Sequence, residues 1–238
     1  MRFFYLLLLL PFLSYSQNYC LQFNGNNQFV SLGNPDSLSL SWDDEFTLEC
    51  WVRIPSNSSG IDEIYTQVDD NLVGYGLQVR DGKFEWFAVN DLNASAFQFI
   101  QCGLHDLRDD KWHHLAFIYD GNHNANAMTF LIDGIVQNFT SLADNLSGDW
   151  QNSGDIQIAH YDGNNAAAGP EWFLGRIDEL KVWRGTRTLN AIRRNMHHPI
   201  PSSPNLKAYY NFNEGSGDTL YDAVSYTHLR AHETSLHL

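Results

Sequence analysis

LRDDKWHHLAFIYDGNHNANAMTFLIDG, residues Leu107–Gly134, decides the fold. His114–Tyr119 and Met128–Ile132 are short runs dense in aliphatic, aromatic and β-branched residues, which is strand composition. Asp120–Ala127 between them is polar, with Gly121 and three asparagines, so the pair reads as a hairpin with a long loop. Asp133-Gly134 then opens a tight turn, because a type I′ turn needs positive φ and glycine supplies it without a Cβ clash.

Working outward, the same grammar recurs. Tyr19–Phe23 and Gln28–Leu32 flank the turn Asn24–Asn27, and Asn34-Pro35-Asp36 ends the second run. Phe46–Ile54 alternates, with Phe46, Leu48, Cys50 and Val52 on one face and Thr47, Glu49, Trp51 and Arg53 on the other. Pro55–Gly60 is a polar loop. Tyr75–Arg80 and Lys83–Val89 form a hairpin through Asp81-Gly82. Ala96–Gln101, Ile135–Thr140, Ile156–Ala159, Phe173–Trp183 and Ala208–Phe212 continue the pattern. Leu189–Met196 is the one helix candidate, with Thr188 as its N-cap. Many short strands with Gly, Asn and Asp turns, and one short helix, predict an all-β fold: an antiparallel two-sheet jelly-roll sandwich. No repeat that would build a propeller or solenoid occurs.

The chain has 238 residues, 43% hydrophobic and 14% aromatic, enough for one large domain with an ordinary core. A formal charge of −14 argues against nucleic acid and against anionic membrane surfaces, and can attract cations such as calcium. Met1–Ser16 has a basic Arg2, an apolar run Phe3–Leu13 and a small-x-small Ser14-Tyr15-Ser16. That is the pattern of a secretory signal peptide, too short for a membrane span, so the mature chain is expected from about Gln17 outside the cell. Cys20, Cys50 and Cys102 have no zinc spacing and cannot all pair; Cys50 is expected as a core thiol, with at most one disulfide overall. Sequons at Asn57, Asn93, Asn138 and Asn145 predict exposed turns.

The C-terminal segment does not belong to this grammar. VSYTHLRAHET, Val224–Thr234, interrupts a motif in mid-course and resembles one reading frame of the transposase mosaic-end adapter of sequencing libraries. Residues 17–223 are therefore read as the domain and 224–238 as foreign sequence, with the native frame lost near Val224. His228, His232 and His237 are accordingly not read as a metal site.

Taken in order, the motifs carry a resemblance. Phe23-Asn24-Gly25 leading to Phe29-Val30, then FTLECWV (46–52), DGKF (81–84), DDKWHHLAFIYDG (109–121), LIDG (131–134), GRIDELKVW (175–183) with a trailing helix, and AYYNFNEGSG (208–217) all appear. The chain resembles LamG-like jelly-roll domains, the laminin-G type within the concanavalin A-like lectin/glucanase superfamily, from about Tyr19 to Asp222. The resemblance implies two curved sheets, ligands on a concave face or rim, and often a bound Ca²⁺. Members bind glycans or proteins, and many are accessory modules of secreted adhesins and polysaccharide-degrading enzymes. One departure is the first turn, Asp-rich in the family but Asn24-Gly25-Asn26-Asn27 here, which offers carbonyl oxygens without charge.

The resemblance points to Asp178 as the metal ligand, with Asn24 and Gly25 as co-ligands of a calcium ion. Simple alternation places Asp178 on one face with the apolar Leu180 and Val182, where a carboxylate needs a partner or an ion. His113 and His114 are adjacent on a strand and point to opposite faces, so they are packed or edge histidines rather than one metal site, and Trp112 is expected in the core. The glucanase pattern Glu-x-Asp-x-x-Glu is absent, and Glu45 and Glu49 are roughly 13 Å apart along a strand, too far for a retaining pair. No catalytic role is assigned. For sugar binding, an aromatic platform beside amides and carboxylates is required, and the loop His160–Trp172 has it in Tyr161, Asp162, Asn164, Asn165, Glu171 and Trp172. Asp120–Asn126, with His123, is a second such loop. The reading is a secreted, non-catalytic module that binds carbohydrate with calcium as an assisting ion. The alternatives are a structural or adhesion module contacting an extracellular protein, or an accessory domain of a truncated polysaccharide-degrading enzyme.

Overall fold

The computed structural model describes residues 19–103, 105–161, 171–198, 203–217 and 219–225, and the backbone of 228–232 and 235–237. In chain order the first strands are β1 Cys20–Asn24, β2 Phe29–Gly33, β3 Phe46–Arg53, β4 Ile61–Val68, β5 Gly74–Arg80, β6 Lys83–Asp91 and β7 Ala96–Cys102. There follow β8 Trp112–Tyr119, β9 Met128–Ile132, β10 Ile135–Gln137, β11 Phe139–Asp144, β12 Ile156–Ile158, β13 His160–Tyr161 and β14 Glu171–Trp172. The remainder is β15 Leu174–Arg184, helix α1 Leu189–Asn195, β16 Leu206–Tyr210, β17 Thr219–Tyr221, β18 His228–His232 and β19 Ser235–His237.

These strands form the expected two antiparallel sheets. One has eight strands in the order β10-β9-β8-β3-β15-β1-β19, with β16 also paired to β15; the other has nine, β11-β7-β6-β5-β4-β12-β2-β18-β17. β13 and β14 form a separate hairpin. Both Asp-Gly turns adopt the mirror-image geometry their sequence demands: φ is 50° and 80° at Asp81-Gly82 and 52° and 74° at Asp133-Gly134. The faces of β3 are as alternation predicts, with Phe46, Leu48, Cys50 and Val52 in the core between the sheets. That core centres on Trp86, whose ring stacks on Phe117 at 4.6 Å and on Tyr75 at 5.5 Å.

Two features depart from the sequence reading. β4, IDEIYTQV, is a strand that the sequence reading does not assign; its Asp62 and Glu63 are both buried, and Asp62 accepts from the Ser58 hydroxyl and the Leu174 amide. The single strand expected over Ile135–Thr140 is two: β10 extends the eight-stranded sheet and β11 the nine-stranded one, so the chain crosses between sheets at Asn138. The backbones of β18 and β19 pair with β2 and with β1, residues the sequence reading set aside. Met1–Ser16 lies outside the described residues.

Helix α1 closes one outer face. The Thr188 hydroxyl accepts the Ala191 amide at 3.2 Å, as an N-cap should. Ile192 packs on Ala116, Ile118 and Leu131 of the eight-stranded sheet, and Arg193 donates to the Gly134 carbonyl at 2.8 Å. Cys20, Cys50 and Cys102 are buried, and burial pushes the Cys50 thiol up to about 12. All four sequon asparagines are exposed.

Candidate functional site

The outward side of the nine-stranded sheet is built by alternation. Tyr75, Leu77 and Val79 of β5 and Phe84, Trp86 and Ala88 of β6 face the core, which turns Gly76, Gln78, Arg80, Glu85, Phe87 and Val89 outward. β7 adds Phe97, Phe99 and Gln101. Gly76 makes room for the Phe87 ring, which lies over β5: a Cβ there would stand 2.5 Å from it, so the ring would have to move. Phe87 and Phe99 stack at 6.3 Å, and the Arg80 guanidinium sits 5.8 Å from the Phe99 ring.

Beneath the rings runs a polar row, Glu63, Gln78, Glu85 and Gln101, each the register partner of the next. Glu85 is fully engaged: Gln78 donates to it, Arg80 Nε donates at 2.7 Å, and Gln101 Nε2 donates at 3.2 Å. Glu63 is the opposite case. It is 1% exposed and neither oxygen has a hydrogen-bond partner among the described residues. Burial first, then the neighbouring Glu171 charge, push its carboxyl well above the usual range.

The β13–β14 hairpin covers this row from above. Tyr161 and Glu171 are register partners and share one face; His160 and Trp172 are partners on the other. Tyr161 meets Phe87 edge-on at 5.9 Å and, with Glu171, lines a cavity of about 240 Å³ over Glu63, Arg80, Phe87 and Phe99. Burial pushes the Tyr161 phenol up to about 12, which keeps it a neutral donor. Trp172 instead stacks on His160 at 3.8 Å, beside Phe29 at 6.1 Å. The predicted sugar loop is thus divided: Tyr161 and Glu171 reach the cavity and Trp172 does not. Asp162, Asn164 and Asn165 lie outside the described residues. Gln78, Arg80, Phe87 and Phe99 come from three other strands, and their one sequence signal is outward phase in an alternating run.

The three predicted metal residues are not brought together. Asn24 and its turn pair with the start of β15: Asn24 is the partner of Leu174, and the Gly25 amide donates to the Phe173 carbonyl at 3.1 Å. Leu174 is four residues from Asp178, roughly 13 Å along a strand. The Asn24 side-chain oxygen already accepts the Asn26 amide at 2.8 Å. Among the described residues no three His, Cys, Asp or Glu side chains cluster as metal ligands.

The alternation argument for Asp178 also fails, for a local reason. β15 carries a bulge between Asp178 and Lys181, with Glu179 at φ 53°. The extra residue shifts the phase, so Ile177, Leu180 and Val182 enter the core and Asp178 faces outward. There it lines a cavity of about 540 Å³ with Trp51, Trp112, Tyr209, Asn211 and Asn213. Trp112 is therefore a partly exposed wall residue rather than core. Burial, then the charge of Glu179, push the Asp178 carboxyl up to about 7 while the Glu179 amide donates to it at 2.8 Å. A carboxyl held above its unfolded value favours the folded state only at low pH. That contribution is complete below about pH 4 and is lost as pH rises through about 7, up to about 4 kcal/mol. Asp178→Asn keeps the acceptor oxygen and removes the charge, so its melting temperature should exceed that of the parent at pH 8 and match it at pH 4. Equal melts at both pH values would disprove the buried-charge cost.

The remaining candidates are structural. His113 bonds Asp133 at 2.8 Å and Asp109 at 3.2 Å, while His114 lies on the opposite side near Glu49 at 3.5 Å, its imidazole driven down to about 3 by burial. The Asp120–Asn126 loop uses its own polar groups: Asp120 accepts from Asn122, Asn124 caps a short 3₁₀ turn, and His123 stacks on Trp42 at 4.1 Å and pairs with Asp43 at 2.6 Å.

The family described as the concanavalin A-like lectin/glucanases superfamily, in its laminin G form, matches residues 24–193. No curated protein matches the chain in sequence. Among solved structures it is similar to a presumed carbohydrate binding protein from Bacteroides ovatus (TM-score 0.60, 17% identity, 92% of this chain and 59% of that one). It is also similar to the native heptameric SAP-like pentraxin from Limulus polyphemus (TM-score 0.59, 12% identity, 93% and 95%). A third likeness is to the binding domain of Paraclostridial Mosquitocidal Protein 1 (TM-score 0.52, 13% identity, 74% and 51%). At these identities the likeness is one of fold, and the chain spans 59% and 51% of the first and third of these structures.

Proposed function

We infer, from a chain that belongs to the concanavalin A-like lectin/glucanases superfamily, that it is a secreted, non-catalytic module that binds carbohydrate on the outward face of its nine-stranded sheet. The observation that carries this reading is Glu63. Among the described residues its oxygens make no geometrically sound hydrogen bond, its carboxyl neighbour Glu171 raises it further, and a buried carboxyl so placed is costly unless something supplies the missing bonds. A sugar hydroxyl entering the cavity under Tyr161 supplies one. Phe87, Phe99 and Tyr161 offer ring faces to a pyranose, and Arg80, Gln78 and Glu171 offer donors and acceptors at its rim. Secretion rests on the leader-like Met1–Ser16 and accords with the exposed sequons.

The test is an oligosaccharide array followed by calorimetric titration of the best ligand. Tyr161→Ala and Phe99→Ala should each weaken binding at least about tenfold, the loss of one stacked ring. Titrations in calcium and in chelator should coincide, because Asp178, Asn24 and Gly25 do not converge. A silent array, or a ligand indifferent to both substitutions, would sink the reading; release of shorter oligosaccharides would overturn its non-catalytic part.

A further inference from the structure

The outward face of the eight-stranded sheet carries two arginines that the fold leaves unexplained. Arg53 of β3 and Arg176 of β15 are direct register partners, so their side chains leave the same face from Cβ atoms about 5 Å apart. Like charges placed so are destabilising. Neither makes a hydrogen bond or an ion pair among the described residues, although the chain holds 28 acidic residues and Arg80, Arg108, Lys111, Lys181, Arg184 and Arg187 each have a carboxylate partner. Both line a cavity of about 200 Å³ that also includes Gln22, the register partner of Arg176, and Gly175. Gly175 lies at φ 139°, and a Cβ there would stand 2.3 Å from the Arg53 carbonyl.

Aromatic surface adjoins the pair. Trp112 is the register partner of Arg53 on its other side, and Trp51 is the register partner of Asp178 in the next outward row. Trp51 is held by its Nε1–H, which donates to the Met196 carbonyl at 2.9 Å, and by the edge of His114 at 5.3 Å. Nearby acids are mostly engaged. Asp110, which lines the same cavity as the arginines, accepts the Ser56 amide at 3.1 Å; Asp178, in the next outward row beside Trp51, accepts the Glu179 amide at 2.8 Å; and Glu179 pairs with Lys181 at 3.1 Å. The chain's overall negative charge is screened beyond about 8 Å at physiological salt, so the local guanidinium pair decides what binds.

We propose that Arg53, Arg176, Trp51 and Trp112 form a second binding platform, for an acidic polysaccharide whose carboxylate or sulfate ester sits between the two guanidinium groups. Guanidinium groups donate two parallel hydrogen bonds to a carboxylate or to two oxygens of a tetrahedral oxyanion, and a stacked sugar ring carries its acid group at the rim, so one residue satisfies both features. An acidic peptide offers the carboxylate but no ring face for tryptophan. This site is separate from the cavity under Tyr161, and its test is independent of that reading.

Titration of the protein with a galacturonate hexasaccharide, its methyl ester and a sulfated hexasaccharide decides the matter. At least one acidic oligomer should bind, the ester at least tenfold more weakly, and which acid binds names the source of the anion. Arg53→Gln with Arg176→Gln should reduce binding by at least a hundredfold while raising the melting temperature, since the repulsion is relieved. Trp112→Ala should cost about tenfold, and Tyr161→Ala nothing. The proposal fails if neither acidic oligomer binds at millimolar concentration, or if the ester binds equally well. It also fails if a poly-glutamate peptide binds as tightly as the acidic sugar with no loss in Trp112→Ala.

Discussion

Trp86→Ala is expected to remove about 3–5 kcal/mol of folding stability, the range for deleting a fully buried large aromatic side chain. Trp86 joins both sheets. It stacks on Tyr75 of its own sheet and on Phe117 of the other, and meets Trp150 edge-on at 5.5 Å and Phe46 at 5.7 Å. Its indole N–H also donates to Gln98 at 3.2 Å, so the substitution leaves a buried amide oxygen short of a donor as well as a cavity. Against a usual total of about 5–15 kcal/mol, that is a large fraction. Urea unfolding should show a lower midpoint with an unchanged slope, and Trp86→Phe should lose distinctly less. A loss in Trp86→Ala below about 1 kcal/mol would mean that the interface between the sheets is not keyed by this residue.

Glu49→Ala is the second large effect, by a different route. Beneath α1, Glu49 is buried opposite its register partner Lys181, which is 0% exposed, and Arg187 Nε and His114 Nε2 each stand 3.5 Å from its carboxylate. Burial raises the Glu49 carboxyl, and Lys181 and then Arg187 oppose that shift. Removing the carboxylate leaves the partly buried Arg187 without its counter-charge and the buried Lys181 with Glu179 alone, at 3.1 Å, a loss of up to about 3–5 kcal/mol. Replacing the pair together, Glu49→Leu with Lys181→Met, removes those two desolvation penalties and should recover much of that loss, with Arg187 still lacking its carboxylate. If the double substitution is as damaging as the single one, packing rather than charge governs the cluster.

How much of this was legible beforehand depended on whether the information was local. The faces of β3, the β5–β6 hairpin and the Thr188 cap follow from periodicity and turn chemistry within a few residues, and they stand in the structure as read. The phase of β15 was not legible. Its bulge puts Glu179 at positive φ with no glycine to announce it, and everything C-terminal to that residue changes face. β4 hid its strand character because Asp62 and Glu63 find their environments in Ser58 and in the covered cavity, residues that a window on 61–68 does not contain. Of the residues lining the covered cavity, Tyr161 and Glu171 belong to the loop that composition singles out. Phe87, Phe99 and Arg80 lie outside it, since convergence across three strands is a property of register. The same holds for Arg53 and Arg176, remote in sequence and opposite in space.

The placement of β15 has a consequence for how the protein is made. It lies between β3 and β1, and β3 is complete roughly 120 residues before β15 begins. A ribosome adding about 5–20 residues per second delivers the missing strand roughly 6–24 s later. During that interval β3 can gain β8 on one side, while its other edge stays open to any strand in reach. Such long-range pairing folds slowly. Yield in a heterologous host should therefore respond to chaperone supply and growth temperature more than to the stability of the finished sandwich.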